Sequence, residues 1–544
     1  MLCYDYYGSV TVVIIQKILS LYIIIVFLLA GLNCHKQPSE KHDQFVLKIG
    51  SIHRAKSKNI LYDNALGHFT MISHPPLLKL ETDGRFTGIL AEQFSYSNDY
   101  TIWKFKIRKN FYWSDGLPVK PEDIKFSLLY KGKHLPSRKW MGKLIKVIDI
   151  DQKGDIVCTL AKPYTRFDIE FTSVRILPRH IWKGIKNPER WESPRLYTGC
   201  GPFIIKDIDL NSGVVSMVRN PFWKGKSPQL DRIEIHMYHN PDVLSLALKR
   251  GDVDTYYKYA DTFPYGNISS LRETGLYKIK KCTESGFIFL GFNLKKQPLD
   301  DHSLRQAIVY ALDYQEIRKL ITKGFGQIPQ KGFVPPYFRF YHPTEPLVRD
   351  INKARKILEG SGYRDLNGDG ILEDREKQPM KLRLVSTLIY TRLSELVKDY
   401  LNQIGIQVQL QILDPMTWIH TKDRYQYDLT ISRTTPWGMM MHAGWSTGYF
   451  DYRRSGQGVL HIIDDPDYIH LCDAILSTKD PHQLKVLARK IQEYHAAHIP
   501  AVALISKTDV IPSKLNLSGW HHDPLFGIYN LSSFLRLKLT YADH

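Results

Sequence analysis

Cysteine is scarce in this chain: six residues in 544, at positions 3, 34, 158, 200, 282 and 472. None forms a CxxC pair, which excludes a zinc ribbon, a thioredoxin-type redox site and a disulfide-dense scaffold. Cys158, Cys200, Cys282 and Cys472 read as buried free thiols. The chain also lacks any long Lys/Arg run, although its formal net charge is +19. The bases are spread out and no motif for reading nucleic acid accompanies them. That argues against a nucleic-acid partner and for a basic surface beside anionic lipid. No nucleophile elbow, phosphate loop or HExxH helix is present, so the enzyme classes built on those motifs are excluded. The most apolar run, residues 18–30, is too short to span a bilayer.

What the chain does have is apolar content: 43% hydrophobic and 12% aromatic residues. Over this length it can bury more than one core. The apolar run ILSLYIIIVFLLA follows Lys17, ends in GLNC and precedes the polar stretch HKQPSEKHDQ. This resembles a bacterial lipoprotein signal. The resemblance implies a signal peptide over 1–34, a lipidated Cys34 and a polar tether over 35–45. The alternative is an uncleaved N-terminal anchor, and either reading exports the rest of the chain.

The most informative stretch is 199–254, which opens GCGPFIIKDIDLNSGVV and closes on KRGDVD. Residues 203–208 and 214–218 read as strands around the turn residues Asn211, Ser212 and Gly213. Ile233, Ile235 and Met237 alternate with polar neighbours, as in a half-buried strand. A helix follows, with Asn240 as cap, Pro241 in the first turn and Gly251 as stop. By themselves these signals give an α/β unit. Their order and wording, GxGP, strand pair, RNPFWKGK, strand, capped helix, KRGDVD, resemble the extracytoplasmic solute-binding proteins of peptide and nickel ABC importers (solute-binding protein family 5). The resemblance implies a two-lobed periplasmic-binding-protein fold of the large cluster C type, hinged between lobes. Lobe I would span 46–284, lobe II 285–505, and 506–544 would return to lobe I.

In the first lobe, Trp103, Phe105 and Ile107 alternate with Ile102, Lys104 and Lys106, giving a strand with one wet face. FYWSDGLPVKPEDI reads as a turn followed by a helix start, and Trp113 reads as core. Residues 145–160 form two strands around Lys153-Gly154. Arg175 sits among apolar neighbours, where an arginine needs an acidic partner. The family resemblance gives it another role: an arginine facing the cleft that holds carboxylates of a bound chelate. Both readings stand at this level, because a guanidinium fork serves either.

In the second lobe, 286–294 reads as a buried strand. Leu304, Ala307, Ile308 and Ala311 mark a helix with Asp301 or Ser303 as cap, and a second helix over 393–404 stops at Gly405 before a strand at 406–410. The stretch DLNGDGILEDRE has the spacing of a calcium loop. Asp365, Asn367, Asp369, Glu373 and Glu376 supply oxygens, Ile371 a carbonyl, and Gly370 the sharp turn. Its flanks differ from a paired EF-hand, because a strand follows at 381–385. A bound Ca²⁺ would be structural. His495, His498, His521 and His522 read as surface histidines.

The strand YDLTIS breaks at Pro436, and no Asp or Glu lies between Asp428 and Asp451. Peptide-binding relatives place an acid in this loop. The nickel-binding branch instead has an Arg-Thr pair and a histidine nine residues after the arginine. Arg433, Thr434 and His442 match that spacing, with Trp437 nearby. The resemblance implies Arg175 and Arg433 on the anionic groups of a chelate and His442 on its nickel. Met439, Met440 and Met441 read as pocket lining. The whole implies a monomeric, membrane-anchored, extracytoplasmic protein that binds a small solute without altering it. It would work with a permease and an ATPase, and would need no cofactor. An oligopeptide ligand is the alternative. A surface hydrolase would need several converging metal ligands, and only His442 offers itself.

Overall fold

A computed structural model of the chain describes residues 44–540, apart from 63–65, 82–84, 136–137, 259–261, 283–286, 335, 337–339, 434–462 and 524–526. Cys34 therefore lies outside the described residues, as do Thr434, Trp437, His442 and the three methionines beside them. No described helix is long and apolar enough to cross a membrane.

Residues from 46 onward build three principal sheets. The largest has seven strands, in the spatial order Tyr277–Cys282, Asp509–Lys514, Thr255–Tyr257, Val46–Ser51, Arg232–Met237, Val214–Arg219 and Phe203–Asp209. Val46–Ser51 runs parallel to both of its neighbours, and the remaining pairs are antiparallel. Its inward residues Leu47, Ile49, Ile233, Ile235, Val215 and Met217 are all buried, as period-2 alternation requires. The helix Pro241–Arg250 has the punctuation read from its sequence. The Asn240 side chain accepts from the amides of Asp242 and Val243, and Gly251 ends the helix at φ 77°.

The second sheet has five strands, ordered Gln407–Leu413, Lys381–Thr387, Leu429–Arg433, Phe287–Phe292 and Ala501–Ser506. Phe287–Phe292 is buried along its whole length. Ile288, Leu290 and Phe292 enter one core with the helices His302–Ala311 and Thr391–Asn402. Phe287 and Phe289 enter another on the opposite face, with Tyr468, Cys472, Leu484 and Ile491. A strand covered on both faces reads as an unbroken apolar run, which is why FIFLGF does not alternate. Two crossings join the sheets: Tyr277–Cys282 leads to Phe287–Phe292, and Ala501–Ser506 leads back to Asp509–Lys514.

The third sheet has four strands, ordered Ala91–Tyr96, Ile102–Ile107, Ile156–Leu160 and Ile145–Ile150. Trp103 and Phe105 are fully buried in its core, and so is Trp113, whose indole donates to Asp123 Oδ2 at 3.2 Å. The GxGP turn ties this region to the helix Gly67–Ser73. The Gly201 amide donates to the Ser73 carbonyl at 2.9 Å. A Cβ on Gly199 would stand 2.2 Å from the Ser73 carbonyl oxygen, and one on Gly201 1.9 Å from that of Ile72. Only glycine permits so close a backbone approach.

Cys158, Cys200, Cys282 and Cys472 are all buried, and Cys158 and Cys200 are free thiols. The histidine reading needs correction. His498 is exposed and His521 and His522 are half-buried, but His495 is 1% exposed and stacks on Phe333 with ring centroids 4.7 Å apart. On the helix Pro481–His498 the buried residues Leu484, Ala488, Ile491 and His495 recur every three or four positions. His495 belongs to that apolar stripe, and the histidine side chain packs there as a flat ring.

Candidate functional site

Arg175 is placed by its neighbours. Val174, Ile176 and Leu177 are buried, anchoring the segment so that Arg175 itself is half-buried. One guanidinium nitrogen, Nη1, donates to the Thr70 hydroxyl and to the Ile60 carbonyl at 3.2 Å. Thr70 is itself fixed, donating to the Gly67 carbonyl at 2.9 Å within the helix that the GxGP turn supports. Among the described residues no carboxylate pairs with Arg175. The structural ion pair considered from sequence is not the arrangement found.

Two further basic residues, which the sequence did not single out, lie near Arg175. Lys131, 3% exposed on the helix Pro121–His134, donates its ammonium to the Arg175 carbonyl. Burial, then Arg175 and Arg138, hold its pKa well below the usual lysine range. Arg138 donates through Nη1 to Glu170 Oε2 at 3.2 Å and through Nη2 to the Ser173 hydroxyl at 2.9 Å. Burial pushes the Glu170 carboxyl up to about 7, against the pull of Arg138. Burial also pushes Arg175 down to about 10, with Arg138 adding to the effect. His74 lies close by, its Nδ1 2.8 Å from the Ser73 hydroxyl. It is pushed down to about 3 by burial, then by Arg175 and Lys131. The Arg175 guanidinium therefore stands in partly dry surroundings with no carboxylate partner among the described residues, which suits an anionic ligand.

Arg433 is the last residue of its strand and stands opposite Ile288, next to where the chain enters the five-stranded sheet. It is half-buried. Arg175 thus belongs to the first half of the molecule and Arg433 to the second.

In the acidic loop, four of the residues read from sequence are drawn together. Asp365 accepts from the amides of Gly368 at 2.7 Å and Gly370 at 2.9 Å. The Asn367 side-chain amide donates to Asp369 Oδ2 at 3.2 Å and Glu373 Oε1 at 3.1 Å. Glu373 is buried and also accepts from the Leu366 amide at 2.7 Å. The Ile371 amide donates to Asp369 Oδ1 at 2.8 Å. Glu376 sits on the following turn, its amide donating to Asp374 at 2.8 Å. Among the described residues no three or more His, Cys, Asp or Glu side chains form a group that could hold a metal ion.

The family model of the bacterial extracellular solute-binding proteins, family 5 Middle, matches residues 85–456, more than half of the chain. The chain belongs to this family. Its members are substrate-binding components of transporters and not a class of enzymes. Among its relatives is the nickel-binding periplasmic protein of Escherichia coli (strain K12), 24% identical over 430 residues, covering 77% of this chain and 80% of that one. The oligopeptide-binding protein AppA of Bacillus subtilis (strain 168) is 23% identical over 524 residues, covering 90% and 92%. In three dimensions the chain is similar to NikA from Brucella suis in complex with Fe(III)-EDTA, with a TM-score of 0.79 at 17% identity over 91% of this chain and 100% of that one. The two-lobed α/β binding-protein fold follows.

Proposed function

We propose that this solute-binding protein captures an anionic metal chelate, of nickel in the first instance, and delivers it to an ABC permease with its ATPase. The observation that carries the reading is Arg175. It is anchored through one nitrogen to a hydroxyl and a carbonyl, it has no carboxylate partner among the described residues, and the basic residues Lys131 and Arg138 stand near it. A guanidinium so placed answers a carboxylate brought by the ligand. Arg433 would bind a second anionic group, with Thr434 and Trp437 completing the pocket and His442 ligating the metal. The nickel-binding relative supports this choice.

Oligopeptide is the second reading, favoured by the longer span over which the oligopeptide-binding relative aligns. Against it stands the absence of Asp and Glu between Asp428 and Asp451, which leaves no acid there for a peptide's amino terminus.

Calorimetry of the purified protein with nickel plus histidine, beside a peptide library, separates the two. Nickel–histidine binds, and Arg175→Gln weakens it at least about tenfold, as expected for a charged hydrogen bond. Unchanged affinity in His442→Ala would remove the metal ligand from the reading. Binding of peptides alone would replace the chelate.

The same reading makes the protein a monomer anchored through a lipidated Cys34, outside the cytoplasm. It also makes the 365–376 loop a structural Ca²⁺ site, supported by the convergence of Asp369 and Glu373 on Asn367.

A further inference from the structure

Apart from the two crossings and the stacking of Phe325 on Tyr265 at 5.5 Å, a side chain reaches from the second half of the molecule deep into the first. Lys479 lies in the connection between the helices Pro466–Ser477 and Pro481–His498, which pack on the five-stranded sheet through Tyr468, Cys472, Leu484 and Ile491. Its ammonium pairs with Asp168, on the short helix Phe167–Glu170 beside the four-stranded sheet. The same ammonium stands 4.6 Å from the ring centroid of Tyr96 and 4.7 Å from that of Trp103. Next to it, Arg166 Nη2 donates to the Thr478 carbonyl at 3.3 Å. No residue of either crossing takes part.

The energetics of this contact are unusual for a pair between surface connections. The two side chains are only 14% and 2% exposed. Burial lowers the Lys479 pKa and raises that of Asp168, in each case more than the partner restores it. A pair so desolvated contributes little net stabilisation, yet losing one member leaves the other buried and uncompensated. The partners the structure gives the Lys479 ammonium, one carboxylate and two rings, all lie in the first half. If the halves separate, Lys479 gives up all of them and becomes hydrated, and water reaches Asp168 as well.

We propose that Lys479 and Asp168, with Tyr96 and Trp103, form a closure latch: a contact made when the lobes come together, whose near-balanced energy keeps closing reversible. Its weakness as a net bond is what suits it to a carrier that must release its load. The latch sets how often the halves meet and is independent of which solute is bound.

The test reads interlobe distance in the full chain by double electron–electron resonance between labels at Val147 and Val486, which are 42% and 41% exposed. In Lys479→Met and in Asp168→Asn the surviving charge disfavours the closed form. The closed-to-open ratio falls on the order of a hundredfold, with the melting midpoint unchanged because opening rehydrates the survivor. The double variant Lys479→Met with Asp168→Leu replaces the pair by apolar groups and restores closure. Unchanged distances in both single variants would overturn the latch. So would a fall in melting midpoint with the separation kept, since that marks a fixed strut.

Discussion

His74 shows how one side chain links the site to stability. It is 1% exposed, and burial with the charge of Arg175 and Lys131 pushes its ring down to about 3. In the unfolded chain the same ring titrates near ~6.5. Between those values the unfolded state binds a proton that the folded state refuses. The stabilisation is therefore complete above the unfolded value and is lost as pH falls toward the folded one, with a slope of ~1.4 kcal/mol per pH unit. Thermal unfolding followed from pH 7 to 4 is expected to show a falling midpoint, and His74→Gln is expected to flatten that fall. Superimposable profiles would mean that His74 is not held neutral. At this scale Trp113 was legible as core, whereas for Arg175 the local sequence left an acidic partner and a ligand carboxylate as equal readings. It hid Lys131 and Arg138, because nothing local marks two lysine- and arginine-bearing segments as neighbours of residue 175.

Elements are where local chemistry decides most. The helix Pro241–Arg250 is closed at both ends by residues that have one physical role each, Asn240 as acceptor and Gly251 in the left-handed region. Asn240→Ala removes an acceptor from two amides and is expected to cost ~1 kcal/mol in urea unfolding. No change would mean that water replaces the cap without loss. The 365–376 loop has a different dependence. Its carboxylates now accept backbone amides at 2.7–2.9 Å. Millimolar Ca²⁺ is expected to raise the melting midpoint, and Asp369→Asn to abolish the rise. A midpoint indifferent to Ca²⁺ would leave the loop a hydrogen-bonded turn. The strands at 203–208, 214–218 and 286–294 and the helices at 241–250 and 393–404 were legible because apolar spacing and turn residues agree there. The helix Pro415–Asp423, capped by Asp414, was not read, because its apolar residues lack a stripe.

For the whole molecule, the open question is attachment and traffic. Both leader readings export the chain, but only one leaves a lipid on Cys34. Cys34→Ser is expected to move the protein from the membrane fraction to the soluble extracytoplasmic fraction, read by fractionation and intact mass. Retention in the membrane would favour the uncleaved anchor. The sequence by itself determined many of the elements and the family resemblance, because caps, turns and periodicity act over a few residues and leave their mark in order along the chain. Only the tertiary structure decided that Arg175 has no acidic partner among the described residues, that His495 is core, and that Lys479 meets Asp168 across 311 positions. Those outcomes depend on which surfaces the fold brings together and dries, and burial of a charge or a ring is a property of its surroundings rather than of its neighbours in the chain.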